Sequence, residues 1–256
     1  MYLADEAWPD LESYFDEESL AIVPLGSTEQ HGPHLPEGTD HLIAQALARE
    51  VAERTGYLCT PTVTIGVSPH HRQFPGTMWV DPSVFRDYVE SFSTNLAYHG
   101  IDRIVYVNAH GGNVQHLREV GRRLHESETA YAVEWMWNNS IPDLVDDLFE
   151  HNGPHGGPKE TAMIQHIAGD LVHDDRLEDA RDGGLAEFDY SDGRVHGART
   201  FYDAIDNTAN GVLGDQTDAT AEKGQQLFEA ASEQLVKLCD WVAEQPIETL
   251  LPKDHV

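Results

Sequence analysis

The chain predicts an α/β protein of the βαβ type. Three observations carry the prediction. Short, β-branched apolar runs alternate with helix-period segments almost from end to end. Two of those runs, at 20–25 and 102–108, lead straight into a polar cluster and then an amphipathic helix pattern. The length of 256 residues gives ample core for a single domain spanning 1–256.

The elements follow in order. Residues up to 18 read as a short acidic helix and a lead-in to the first strand. Residues 40–55 repeat apolar side chains at helical spacing (Leu42, Ile43, Ala46, Leu47, Val51), and Gly56 is the stop. A strand is expected at 58–65, then a histidine-bearing loop. Asp81 and Pro82 supply an N-cap and a first-turn proline for the next helix, which ends at Gly100. The run 102–108 is a second buried strand, 114–126 a helix and 129–135 a fourth strand. Short helices are expected at 142–150 and 160–169. Residues 170–210 are acidic, carry glycine and lack periodicity, so they read as surface loops at a site rim or subunit interface. The last helix, 218–244, has Leu227, Ala231, Leu235, Leu238 and Val242 on one stripe.

Composition narrows the partners. Asp plus Glu number 45 against 16 Lys plus Arg, a formal net charge of −29, and the only lysines are Lys159, Lys223, Lys237 and Lys253. So negative a field argues against nucleic acid and against anionic membranes. The acidic residues are spread along every segment, which points to adaptation to molar salt rather than to a disordered tail. No apolar run reaches twenty residues, and the first residues lack the pattern of a signal peptide. Cys59 and Cys239 stand apart from one another, as packed thiols of a cytoplasmic protein do.

The run from Ser27 to Asp40, S-T-E-Q-H-G-P-H-L-P-E-G-T-D, carries most of the chemistry. In an extended segment residues i and i+2 point the same way, so Glu29 and His31 can face one ion. A turn at Gly32 and Pro33 lets Asp40 return to it. Carboxylates and imidazole together suit divalent Zn, Fe(II) or Mn, and an open position on such an ion activates water. His110 lies just past the end of the second strand, in the same topological place as Glu29 and His31. In open α/β sheets that place is where ligands bind.

These residues resemble the creatininase family of metal-dependent amidohydrolases. The matching segments are G-S-T-E-Q-H-G-P-H-L-P-E-G-T-D (26–40), F-P-G-T (74–77), N-A-H-G-G-N (108–113), H-G-G-P-K-E-T (155–161) and G-V-L-G-D-Q-T-D-A-T-A-E-K-G (211–224). The resemblance implies a three-layer α/β/α fold with a central, mainly parallel sheet, one or two ions per subunit, and a homo-oligomer. It implies that Glu29, Asp40 and His110 hold one ion and that His31 holds a second, with Asp40 bridging. His155 matches the histidine the family keeps near the scissile bond, a proton shuttle. Ser68 and the Gly111 amide fall where the family contacts substrate. Creatininase proper has a glutamate two residues after the strand-end histidine; this chain has Gly112 there, and Glu160 is the candidate replacement. The tryptophans creatininase places around its substrate have no match, although Trp135 and Trp137 lie nearby in sequence.

The resemblance implies a hydrolase of a non-peptide C–N amide bond. Its substrate would be the formamide of a formamidopyrimidine ribonucleotide, or a cyclic amide such as creatinine, with the formamide favoured. Two other classes stay open: a peptide-trimming protein of cofactor maturation, and a metal-binding protein without turnover.

Overall fold

Leu25 and Asn108 lie side by side as the last paired residues of two neighbouring parallel strands. These are β1 (Leu20–Leu25) and β3 (Arg103–Asn108), the centre of a parallel sheet completed by β2 (Leu58–Cys59) and β4 (Tyr131–Met136). Strand order is β2-β1-β3-β4. The chain winds outward to one side after β1 and to the other after β3, so the crevice between their carboxyl ends is the topological switch point. The structure, a computed structural model, describes residues 1–181, 194–195, 198–199 and 201–253.

Every residue of β1 and β3 is buried, as in a sheet covered by helices on both faces. Side-chain alternation sends Leu20 and Ile22 to one core with Val105 and Val107; helices α2 (Thr39–Thr55), α6 (Pro158–Ala168) and α9 (Ala221–Glu244) supply its other wall. Ala21, Val23 and Leu25 face the opposite core with Ile104 and Tyr106. There α1 (Trp8–Glu17), α3 (Pro82–Tyr98) and α4 (Val114–Glu126) contribute Tyr14, Phe85, Val89, Leu117 and Val120. The result is the expected three-layer arrangement. Among the described residues no helix is long and apolar enough to cross a membrane.

Several boundaries move for identifiable reasons. The strand expected at 58–65 stops at Cys59, because Pro61 has no N–H to donate. Beyond Cys59, Thr60 N still donates to Ile22 O and Val63 N to Pro24 O, both at 3.0 Å. The fourth strand begins at Tyr131, since the Thr129 and Ala130 amides both turn back to Leu124 O at the end of α4. α6 begins at Pro158, which takes the N1 position favourable to proline. Asp81 stands at the N-cap of α3 without making a side-chain cap bond. The long helix expected at 218–244 starts at Ala221, where Thr220 Oγ1 accepts from Lys223 N at 3.2 Å, and a short helix at Ile247–Leu250 follows it. α5 (Pro142–Leu148) ends two residues short of expectation. In 170–210 the described part is not all loop: it holds α7 (Leu177–Arg181), the short pair β5 (Arg194–Val195) and β6 (Ala198–Arg199), and α8 (Ala204–Asn207). Residues 182–193 of that expectation lie outside the described residues.

Candidate metal centre

Three loops meet at the switch point, and two asparagines tie them together. Asn113 Nδ2 donates to Gly26 O at 2.9 Å, and its Oδ1 accepts from Val67 N at 3.0 Å. Asn108 Oδ1 accepts from His110 N at 3.1 Å, and its Nδ2 donates to His110 O at 2.9 Å. The N-A-H-G-G-N run thus fixes the β3 loop to the ends of β1 and of the 66–67 segment. It presents His110 to the residues after β1.

Glu29, His31, Asp40 and His110 converge there, and all four are buried. His110 Nδ1 lies 3.2 Å from Glu29 Oε1 and 3.1 Å from Asp40 Oδ2. His31 Nε2 lies 3.0 Å from Asp40 Oδ1. The outward nitrogens are held by main-chain carbonyls: His31 Nδ1 donates to Glu29 O at 3.0 Å, and His110 Nε2 to Val67 O at 3.1 Å. Each ring is thereby turned so that its other nitrogen faces the carboxylates, the arrangement a metal-binding histidine needs. Burial alone would push both imidazoles down. Asp40 instead holds His31 up to about 10, and Glu29 with Asp40 holds His110 well above its usual value. Both carboxyls are in turn kept below the ordinary range against the cost of burial, Glu29 mainly by His110 and Asp40 mainly by His31.

The donor set fits a divalent ion. Glu29 Oε2 is buried without a hydrogen-bond partner, a costly state unless a cation completes it. Ligand atoms of Glu29, His31 and Asp40 lie within 4.8 Å of one another, as do those of His31, His155 and Glu160. Glu160, 7 % exposed, therefore stands beside His31, its Oε2 accepting from Gly156 N at 2.6 Å. Gly112 offers no route to a carboxylate, since a Cβ there would collide with the Val67 carbonyl oxygen and with His110 Nε2.

His155 reaches the centre from the loop before α6, with Nδ1 3.8 Å from Glu29 Oε1. Burial and the neighbouring His31 lower its pKa, which favours the neutral ring. Gly111 lines the cleft above the centre, with nothing within 4 Å of its Cβ position. Ser68 is fully buried and behind it, with Ser27 Oγ donating to it at 3.0 Å; Val67 and Pro69 on either side line the cleft and Ser68 does not. His70 and His71 sit at the cleft. His34 is buried against Thr161 Oγ1 at 2.8 Å, joining the β1 loop to α6. Trp135 and Trp137 are core residues. Sequence reasoning missed Gln30, whose side chain touches both His71 and His155, and His116, which lines the cleft. The signal for Gln30 was available: between Glu29 and His31 an extended chain must aim it to the other side.

A cleft of about 590 Å³ opens above these residues. A second groove of about 670 Å³, lined by Trp8, Phe15, Tyr88 and Leu96, lies elsewhere and carries none of the metal-ligating groups found among the described residues.

A parallel sheet with a buried carboxylate–imidazole cluster at its switch point defines an α/β protein equipped to hold a divalent ion. More narrowly, the chain belongs to the creatininase family, whose profile, described as creatinine amidohydrolase, matches residues 4–239. The chain is similar to the mycofactocin precursor peptide peptidase of Mycobacterium ulcerans (strain Agy99), with 36 % identity over 81 % of this chain and 79 % of the relative. It is also similar to the 2-amino-5-formylamino-6-ribosylaminopyrimidin-4(3H)-one 5'-monophosphate deformylase of Methanothermus fervidus (strain ATCC 43054 / DSM 2088 / JCM 10308 / V24 S), with 32 % identity over 57 % of this chain and 54 % of the relative. Among solved structures, that titled "Creatininase Mn" superposes with a TM-score of 0.80 at 25 % identity, covering 95 % of this chain and 99 % of the other.

Proposed function

We propose that this chain is a metal-dependent hydrolase that cleaves an amide bond in a short peptide or peptide-like precursor. The observation that carries the reading is the cleft over the centre. Its volume of about 590 Å³ suits a drug-sized ligand, several times larger than a single small ring. Its described lining includes Pro69, Phe201, Tyr202 and Leu213 and contains no Lys or Arg, so apolar side chains are favoured over a phosphate. The similarity to a precursor peptide peptidase over four-fifths of the chain supports the same substrate class.

Glu29, Asp40 and His110 would hold one ion, and His31, Asp40 and Glu160 a second. Such ions lower the pKa of bound water and polarise a carbonyl. The protein's own groups do the rest. His155 Nδ1 takes a proton from the attacking water as its oxygen bonds to the carbonyl carbon. The C–N bond then breaks, and that proton passes to the leaving nitrogen, giving an acid and an amine. The Gly111 amide, at the cleft wall, would donate to the developing oxyanion. Burial of the floor strengthens each of these contacts.

The test is a substrate panel in molar KCl with Mn(II), Zn(II) or Fe(II): short peptides with apolar C-terminal residues, a formamidopyrimidine ribonucleotide, and creatinine. Metal-dependent release of amino acids, read by mass spectrometry, is the expected result. Formate alone would move the assignment to a deformylase, and creatine alone to a creatininase. Bound metal with no product would leave a binding protein.

A further inference from the structure

Gln30 separates two imidazoles that would otherwise be alike. Its Oε1 accepts from Gly32 N at 2.9 Å and its Nε2 donates to Gly211 O at 3.0 Å, so two main-chain groups determine which end of the amide is which. Its other amide proton is directed at His71 Nδ1, 2.8 Å away. That nitrogen must accept. A ring whose Nδ1 accepts is neutral, and its single proton sits on Nε2. This N–H faces Glu29 Oε1 at 3.5 Å.

His155 is turned the other way by the same residue. Its Nε2 lies 2.6 Å from the main-chain oxygen of Gln30, a separation only an N–H donor tolerates. The amide of Gln30 has two protons, already directed at His71 and Gly211, so its 3.0 Å approach to His155 Nε2 is a contact and not a donation. His155 therefore carries its proton on Nε2 and aims a bare Nδ1 at Glu29. The rings are stacked 4.3 Å apart, same tautomer, opposite faces forward.

The opposition matters because Glu29, His71 and His155 form a third compact cluster, with ligand atoms within 4.8 Å of one another. Two imidazoles and a carboxylate are a common cradle for Fe(II). We propose that Gln30 is a positioning residue that keeps a proton on His71 Nε2, so this cluster offers substrate one hydrogen-bond donor and one acceptor and does not take a third ion. His155 Nδ1 stays free to receive a proton, and His71 Nε2–H points at the same spot as a fixed donor. Gly211 is part of the device: a Cβ there would collide with Gln30 Oε1.

The inference uses the amide-hydrolase reading only for the work His155 does; its test needs no substrate. Imidazole ¹⁵N spectra of the Zn(II)-loaded wild type should show both His71 and His155 protonated on Nε2. A His71 signal protonated on Nδ1 would overturn the proposal. In Gln30→Glu the carboxylate accepts from His71, its proton moves to Nδ1, and the cluster gains a third lone pair. Metal analysis of Gln30→Glu should then find one more ion per chain than wild type, and the further change His71→Asn should remove it. Turnover in Gln30→Glu should fall about 100-fold. An unchanged ion count in a folded Gln30→Glu, or a wild-type ion that His71→Asn alone removes, would count against the assignment. If the tautomers are as stated and no peptide is cleaved, the device stands and the substrate assignment falls.

Discussion

Glu160 reaches back to accept from the Gly156 amide at 2.6 Å while it stands within ligand range of His31. One carboxylate thus orders the loop that carries His155 and, on the reading proposed above, would complete a cation site beside His31. It would supply from α6 the charge that Gly112 cannot.

Glu160→Gln keeps the shape and the acceptor for Gly156 and removes the charge. It should bind one ion per chain in place of two, with kcat/KM reduced at least about 100-fold. Metal analysis and steady-state kinetics check this together. Two tightly held ions in Glu160→Gln would show that the second carboxylate comes from elsewhere.

Metal uptake should release protons. His31 is held up to about 10 and His110 well above its ordinary value, which favours the doubly protonated form of both rings before an ion arrives, and each must then give a proton up. The sign follows: raising pH from 6 toward 9 makes that surrender easier, so apparent affinity should rise. Calorimetry in buffers of differing ionisation enthalpy should count about two protons released near pH 7 when both rings are engaged. Pairing without release would contradict the charge states given above.

Gly112→Ala should be costly although it adds a single methyl group. The new Cβ meets the Val67 carbonyl and His110 Nε2, whose mutual hydrogen bond turns His110 toward the carboxylates. A loss of about 1–3 kcal/mol in stability is expected, with weaker metal binding. Thermal unfolding of the metal-free and metal-loaded forms separates the two effects. Gly111→Ala, with nothing within 4 Å of its Cβ position, should leave stability unchanged and affect only turnover.

With a net charge of −29, self-repulsion should dominate stability at low salt. The Debye length shrinks from about 10 Å at 0.1 M to about 3 Å at 1 M salt. The melting temperature should therefore climb as KCl is raised across that range. A flat profile would remove the argument for salt adaptation.

The strand ends and the residues that cluster there were legible because periodicity and motif agree. β1 and β3 are runs of buried residues; Glu29, His31 and His110 lie in the loops that follow them, and Asp40 opens α2. Ser68 was not legible: a hydroxyl in a polar loop looks the same whether it faces a cleft or, as here, bonds to Ser27 beneath it. The 58–65 run failed because apolar content outweighed the missing N–H of Pro61. Gln30 and His71 were hidden for a different reason. Their importance lies in which nitrogen carries a proton, and spacing along a chain says nothing of that.

The centre gathers residues 29–40 from one strand end, His110 from another and 155–160 from the start of α6. An ion seated there fastens three stretches of chain that are remote in sequence. Stripped of metal, the front edge of the sheet loses its clasp while both cores remain. Proteases should then find the 153–157 loop sooner than any strand, and free metal in the surroundings would set how long the chain survives.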